Sequence, residues 1–179
     1  MFDVYNMLLS KARVAGVNLF CKGIVVREKC FLDRRVILNT YHGGRIEIGR
    51  GTMLMEGVIL DTYGGDIVIG KDCSINPYCV LYGHGGLKIG NYVRVAAGCV
   101  IIPNNHLYER KEVLITAQGN RAQGIEIEDD VWIGTRSVVL DGVKVARGSV
   151  IGAGSVVTKS TKEYGVYVGT PARLKKTRK

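Results

Sequence analysis

The sequence predicts an all-β solenoid, in which very short strands joined by tight corners wind into successive coils. A period of six residues fits neither an amphipathic helix, which repeats about every 3.6 residues, nor a plain meander of hairpins. It fits three short strands per coil, with eighteen residues in each coil. The 24 glycines and the many β-branched residues suit such corners and strands. The apolar residues that define this period are Ile127, Ile133, Val139, Val145, Ile151 and Val157.

A second, longer repeat marks one corner of each upstream coil. It appears in residues 41–49, 63–70 and 82–90, each with a tyrosine, a pair of glycines and a final Ile-Gly step. After Ile101 the same corner opens into an extended loop at about residues 104–123. A loop of that length inside a regular array is usually functional, so we expect the active site there.

The first 22 residues are predicted to form a cap segment on a single repeat domain of residues 23–176. Phe2, Tyr5 and Ala12, together with Leu9, follow a helical spacing. We therefore expect a short helix over the open end of the solenoid. A chain of 179 residues suits one such domain and not two independent cores.

The net charge of +9 is concentrated at the two ends of the chain. Residues 1–35 contribute +4 and residues 159–179 contribute +6, whereas the body between them contributes −1. A nucleic-acid surface would spread a basic stripe over the folded body, so no nucleic-acid partner is predicted. The basic C-terminal end indicates a local anionic ligand, and peripheral contact with anionic lipid headgroups is a second interpretation.

Composition also predicts the compartment. No apolar stretch reaches the roughly 18 residues of a membrane span, and the first twenty residues lack the features of a signal peptide. The five cysteines are an odd number without a C-x-x-C pair, which favours reduced thiols over disulfides or a zinc site. We expect a soluble cytoplasmic protein.

Four short motifs are more specific than the repeat itself. They are NNH at residues 104–106, DVWIGT at 130–135, VIGAGSVVTK at 150–159 and GTPAR at 169–173. Over roughly residues 45–176 the chain thereby resembles the hexapeptide-repeat acyltransferase family, whose fold is a left-handed parallel β-helix. The motifs are similar to those of galactoside, maltose, xenobiotic and surface-polysaccharide acetyltransferases. Glu128 departs from the pattern, since the family commonly has glycine there, and a modest effect on that corner is expected.

The resemblance implies that His106 is the catalytic base, because the family's catalytic histidine occupies this position in the loop. A neutral imidazole suits the role, since it can accept the proton of a hydroxyl that attacks a thioester. His84 lies one coil earlier on the same edge, about 4.8 Å away by the spacing of strands. We expect His84 and Asn105 to contact the acceptor; the alternative for His84 is a solvent-facing corner residue. His42 is interpreted as structural.

The co-substrate that the family implies is acetyl-coenzyme A. Its pantetheine arm is expected to take backbone hydrogen bonds from Gly134–Thr135 and Ala153–Gly154. Lys159, Arg173 and Lys176 match the phosphate-contacting positions, and a basic tail supplies the charge that phosphates require. Trp132 either walls the thioester or plugs the coil corner. The full set of expected donor-binding residues is Trp132, Gly134, Thr135, Ala153, Thr158, Lys159, Arg173 and Lys176.

The function implied by the resemblance is acetyl transfer to a sugar hydroxyl by a homotrimer, in the biosynthesis of capsule, exopolysaccharide or lipopolysaccharide. One alternative is N-acetylation of a nucleotide-linked amino sugar, and another is a non-catalytic structural β-helix. A metal is not predicted. The γ-class carbonic anhydrases share this fold, but their zinc requires three converging imidazoles, and residues 89–179 contain only His106.

Overall fold

Three sheets of very short strands wind around one axis in the computed structural model, which describes residues 4–179. The chain begins with a helix, α1 (Val4–Phe20), and contains one 3-10 turn, η1 (Ile115–Ala117). The strands, in chain order, are β1 (Ile24–Val26), β2 (Phe31–Leu32), β3 (Ile37–Asn39), β4 (Ile46–Ile48), β5 (Met53–Leu54), β6 (Ile59–Asp61), β7 (Ile67–Ile69), β8 (Ser74–Ile75), β9 (Val80–Tyr82), β10 (Leu87–Ile89), β11 (Arg94–Val95), β12 (Val100–Ile102), β13 (Asn105–His106), β14 (Asn120–Arg121), β15 (Ile125–Ile127), β16 (Trp132–Ile133), β17 (Val138–Leu140), β18 (Lys144–Val145), β19 (Val150–Ile151), β20 (Val156–Val157), β21 (Gly165–Val168) and β22 (Arg173–Thr177).

Each coil contributes one strand to each sheet. Sheet A contains β1, β4, β7, β10, β15 and β18, and sheet C contains β3, β6, β9, β12, β17 and β20. Sheet B contains β2, β5, β8, β11, β16, β19 and β21, and ends in β22, which pairs antiparallel with β21. The other pairs in the three sheets are parallel, and strands of successive coils lie side by side. The predicted fold class is confirmed: the chain is a left-handed parallel β-helix of about six coils with one N-terminal helix.

The core consists of apolar ladders along the inside of the coils. Side chains alternate between the two faces of a strand, so each three-residue strand turns two residues inward and one outward, or the reverse. In β4, Ile46 and Ile48 are fully buried, whereas Glu47 between them is exposed. The residues at the six-residue period are all 0% exposed, which explains the pattern seen in the sequence: Ile127, Ile133, Val139, Val145, Ile151 and Val157.

Helix α1 closes the open end of the first coil, as the sequence predicted. The face of the helix that contacts the coil, however, is not the one that contains Tyr5 and Ala12. Ser10 Oγ accepts the amide of Leu32 at 2.8 Å, and Asn18 both donates to and accepts from the backbone of Val26 at 2.8 Å. The end of a solenoid exposes unpaired backbone groups, and the helix turns polar side chains toward them. Tyr5 and Ala12 therefore lie exposed. Phe2, assigned to the same spacing, lies outside the described residues.

The outward faces of sheets A and C differ in chemistry. Sheet A carries ion pairs between neighbouring strands, such as Lys144 with Glu126 at 3.3 Å and with Glu128 at 2.6 Å. The ion pair with Lys144 gives Glu128 a partner at the position where the family commonly has glycine. Sheet C instead carries one continuous apolar row, half-buried except for the exposed first member: Ile37, Ile59, Val80, Val100, Val138 and Val156.

The coils approach each other closely at the corners, and at Gly49 this leaves no room for a side chain. A Cβ atom on Gly49 would lie 2.6 Å from the carbonyl carbon of Gly70 and 2.7 Å from its oxygen, and backbone atoms of a neighbouring coil cannot move aside. Gly49→Ala should therefore lower the free energy of unfolding by about 1–3 kcal/mol. Urea unfolding followed by circular dichroism measures this change.

Gly16→Ala is the matched control. A Cβ atom on Gly16 meets nothing within 4 Å, and alanine is the better helix former, so this variant should gain about 0.5–1 kcal/mol. Equal unfolding midpoints for the two variants would contradict the corner packing.

Candidate active site

Two edges of the β-helix contain the residues expected to act in catalysis. The loop edge is the corner where the chain passes from sheet C to sheet A, and it includes the 104–123 loop. The groove edge is the corner where the chain passes from sheet B to sheet C, and it includes Gly134, Thr135 and Ala153. Both are defined by the order of strands along the chain.

His106 lies on a two-stranded ribbon that projects from the loop edge. Its strand, β13, pairs antiparallel with β14, which sets His106 opposite Asn120. The amide of Leu107 donates to the carbonyl of Gly119 at 3.0 Å and closes the ribbon above the histidine. His106 and Asn105 are both exposed. The loop is thus an ordered arm that carries the exposed His106 near His84 of the coil below.

The outer part of the loop is organised by Gln118. Its side-chain amide donates to the carbonyls of Arg110 at 2.9 Å and Val113 at 2.8 Å, and its carbonyl oxygen accepts the amide of Arg110 at 3.1 Å. The tip nevertheless leaves large apolar side chains exposed, with Leu114 at 78% and Tyr108 at 69%.

His84 lies on the coil below the loop. The amide of Gly85, its neighbour, donates to the carbonyl of Pro103 at 3.4 Å, where the loop leaves the coil. The ring of His84 stacks on Tyr63 with centroids 4.5 Å apart. Its Nδ1 atom is buried and has no hydrogen-bond partner among residues 4–179. His84 is thus a packed side chain with an unsatisfied polar atom, not a solvent-facing one.

The pKa of His84 lies below its ordinary value. Burial of the ring is the main cause, and the charge of nearby His106 acts in the same direction. The carboxylates of Asp61 and Asp141 act in the opposite direction. The lowered pKa favours the neutral form of His84, whose ring can accept a hydrogen bond.

Asp141 and Asn104 were not identified from the sequence. Asp141 Oδ1 accepts the amides of Gln123 at 2.7 Å and Gly124 at 3.0 Å, which fixes the point where the loop returns to the coil. Asp141 Oδ2 and Asn104 Oδ1 are buried without a partner among the described residues. The sequence did contain one indication of Asp141. It follows Gln123 by eighteen residues, which is one coil, so the spacing places the two residues at the same corner of successive coils.

The groove edge is tightly packed, and the coils themselves use two of the backbone amides expected to bind the donor. The amide of Gly134 donates to the carbonyl of Ile151 at 2.8 Å, and that of Gly154 donates to Thr135 at 2.8 Å. Both amides are used between neighbouring coils, so the predicted hydrogen bonds to a pantetheine arm fall to the amides of Thr135 and Ala153. A Cβ atom on Gly134 would lie 2.6 Å from the nitrogen of Ala153, so this glycine permits close packing of the coils.

Sheet B carries three of the other predicted donor residues on its outer surface. Trp132 is 54% exposed between Arg94 and Val150 of the neighbouring strands, so it does not plug the coil. Arg173 and Lys176 lie on β22, whose five residues are all exposed. These side chains are available to a ligand along this face.

The remaining donor residues, Thr158 and Lys159, lie on the loop edge. They follow β20, which pairs with β17 in sheet C. Ala153 lies one corner away, on the groove edge. A single chain therefore does not bring all the expected donor residues together, and His106 and Ala153 lie on different edges of the same coil stack.

A depression of about 680 Å³ opens on sheet A beside Gln123 and Gly124. None of the residues predicted to act in catalysis lines it. Among residues 4–179, no group of three or more His, Cys, Asp or Glu side chains could hold a metal ion.

Comparison with known proteins agrees with the repeat and the fold. Residues 124–159 match the bacterial transferase hexapeptide family (six repeats). A protein described as a probable acetyltransferase of Mycobacterium tuberculosis is 30% identical over 162 residues, which cover 87% of this chain and 52% of that protein. The galactoside O-acetyltransferase of Lactococcus lactis is 30% identical over 130 residues, or 73% of this chain and 62% of the relative.

Solved structures share the coil at lower identity. A mutant of AntD, an N-acyltransferase from Bacillus cereus in complex with dTDP and coenzyme A, superimposes with a TM-score of 0.79 at 20% identity, covering 92% of this chain and 89% of that one. The chain spans about half to three fifths of the length of the two curated relatives above. Its repeat and its fold are those of the hexapeptide-repeat acyltransferase family, which the chain resembles.

Proposed function

We propose that the protein transfers an acetyl group from acetyl-coenzyme A to a hydroxyl of a sugar, in the biosynthesis of a surface polysaccharide. The observation that carries this proposal is the position of His106 on an ordered arm whose root lies at His84, Asn104 and Asp141, each with an unsatisfied buried polar atom. Such atoms fit an acceptor with several hydroxyl groups, because each hydroxyl can donate one hydrogen bond and accept others. The relatives described as acetyltransferases support it.

In the proposed reaction His106 is the general base. Its neutral imidazole takes the proton of the sugar hydroxyl while the oxygen attacks the thioester carbonyl carbon. The tetrahedral oxyanion then collapses, the carbon–sulfur bond breaks, and the coenzyme A thiolate takes the proton from the imidazolium. Asp141 fixes the root of the arm. The neutral ring of His84 accepts a hydrogen bond from a second hydroxyl of the sugar.

N-acetylation of an amino sugar is the second candidate function. The buried carboxylate oxygen of Asp141 could equally accept a hydrogen bond from an amino group. One solved AntD structure is a complex with dTDP-4-amino-4,6-dideoxyglucose and coenzyme A. A panel of neutral sugars, amino sugars and their nucleotide-linked forms, assayed for released coenzyme A thiol, separates the two functions.

We further propose that the active site forms between subunits of a homotrimer. His106 lies on the loop edge, whereas Ala153 and Thr135 lie on the groove edge of the same chain. A three-fold ring brings the loop edge of one subunit against the groove edge of the next, and such contacts close after three copies. The apolar row on sheet C and the exposed tip residue Leu114 supply surface that such contacts would bury.

The first functional prediction concerns the base. His106→Ala should lower kcat by about 10²–10⁴ because the attacking hydroxyl loses its proton acceptor. The Kd for acetyl-coenzyme A should stay within about twofold, since the imidazole does not hold the donor. Thiol-release kinetics and calorimetric titration measure the two quantities.

His84→Ala is the comparison variant. It should raise the acceptor KM more than it lowers kcat, because His84 is proposed to bind the acceptor. Wild-type turnover in His106→Ala would show that His106 is not the general base. An unchanged acceptor KM in His84→Ala would show that His84 has only a structural role.

A second functional prediction concerns the phosphates of the donor. Arg173→Gln should reduce the preference for acetyl-coenzyme A over acetyl-pantetheine by about tenfold, because an exposed arginine at this strand can pair with a phosphate. Lys22→Gln, at the opposite end of the coil stack, is the control of equal charge change and should leave the preference unaltered. A preference that survives neutralisation of Lys159, Arg173 and Lys176 together would place the phosphates elsewhere.

The third prediction concerns assembly. Light scattering at micromolar concentration should give a mass of about 59 kDa, three times 19.6 kDa. Val100→Glu, in the centre of the apolar row, should produce monomers with little activity, whereas Val68→Glu on sheet A should remain trimeric. A fully active species near 20 kDa would contradict both the interface and the shared site.

A further inference from the structure

The outward face of helix α1 is apolar. Tyr5, Leu8, Ala12, Ala15 and Leu19 recur at spacings of three and four residues, which places them on one face of the helix. All five are exposed, with Leu8 at 60% and Leu19 at 74%. Phe20, at the end of the helix, is 80% exposed. This apolar face therefore exposes the large side chains of Tyr5, Leu8 and Leu19, with small alanines between them.

Folding of the chain does not account for the apolar face. The helix is held by Ser10 and Asn18, which bond the backbone of the first coil, and by Val14 and Val17, which pack on the core. Arg13 adds a hydrogen bond to the carbonyl of Leu32 at 2.8 Å. The apolar face points the other way, along the axis of the coils and away from them.

Positive charge surrounds the apolar face. Helix α1 contains no acidic residue and carries Lys11 on its exposed surface. Lys22, Lys29 and Arg34 follow in the first coil and are also exposed. Within residues 4–179 none of these four cations forms an ion pair, whereas Arg27 and Arg35 of the same coil do.

We propose that helix α1 docks the protein on an anionic membrane surface. An amphipathic helix with apolar side chains on one face and basic residues beside them lies in the interface, with its apolar face at the boundary of headgroups and acyl chains. Lys11, Lys22 and Arg34 then contact lipid phosphates. No helix among the described residues is both long and apolar enough to cross a bilayer, so the contact is peripheral.

The apolar face could instead bind a second copy of the chain, but the charges around it argue against such a dimer. Two copies packed through their helices would place Lys11, Lys22 and Arg34 of each next to those of the other. The described helix offers no carboxylate to pair with them, and the exposed carboxylate of Glu28 in the first coil already lies 3.9 Å from Arg50, so the like charges would repel. Anionic lipid supplies both the apolar depth and the counter-charge.

Vesicle sedimentation tests the docking. The full-length protein is mixed with vesicles of phosphatidylcholine and phosphatidylglycerol in equal parts, and separately with pure phosphatidylcholine. The wild type should partition at least about tenfold more strongly to the anionic vesicles, and a rise from about 0.1 M to about 0.5 M salt should weaken binding.

Two variants and one control localise the contact. Leu8→Ser with Leu19→Ser should reduce binding about tenfold because it removes the two largest aliphatic side chains of the apolar face. Lys11→Gln should reduce it about three- to fivefold. Val25→Ser with Val68→Ser, which removes exposed valines from sheet A, should bind like the wild type. All three keep the contacts that hold the helix, and thermal unfolding checks this.

Three results would overturn the proposal. One is a wild type that stays in the supernatant with anionic vesicles. Another is equal binding by the wild type and the double-serine variant of the helix. The third is a larger assembly in solution that the double-serine variant dissociates, without vesicle binding, which would assign the face to a second copy. The assay needs no substrate, so its outcome does not depend on the proposed acetyl transfer.

Discussion

Hydrogen bonding between successive coils, in register, is the constraint on which the rest of the structure depends. Each strand is only two or three residues long and would not be stable alone, so its backbone groups are satisfied by the coils above and below. The register in turn fixes which side chain faces inward. Ile46, Ile67 and Leu87 stack in one inner row because their backbones pair in that order. Corner glycines such as Gly49 and Gly134 are required because the coils approach so closely.

The same register determines what the surface can do. An insertion at a corner leaves the coils above and below in place, so the 104–123 loop can extend outward without disturbing the core. Asp141 fixes the returning end of that loop through the amides of Gln123 and Gly124. The histidine arm is thus mounted on a rigid edge, and its chemistry is separated from the groove edge by the width of sheet C. This separation is the physical reason for placing the reaction between two subunits.

The sequence predicts the coil well because one inward residue in every six must be apolar, and Ile127 to Val157 satisfy this without interruption. It locates the loop for the same reason, since His106 follows a break in the period. Other features depend on tertiary contacts. The orientation of α1 is set by the backbone of Leu32 and Val26, so Tyr5 and Ala12 mark an exposed face. Counting corners would have separated Lys159 from Ala153, and the eighteen-residue step from Gln123 pointed to Asp141. The burial of Asn104 Oδ1 depends on tertiary packing that no spacing reveals.

Helix α1 and strand β22 also determine where the solenoid stops. A parallel β-helix has no intrinsic length, because its last coil always offers backbone groups on which a further coil can form. Ser10, Arg13 and Asn18 occupy those groups at one end, and at the other the chain reverses into an antiparallel strand rich in lysine and arginine. A further coil is thereby denied the backbone groups of the first coil at one end and those of sheet B at the other.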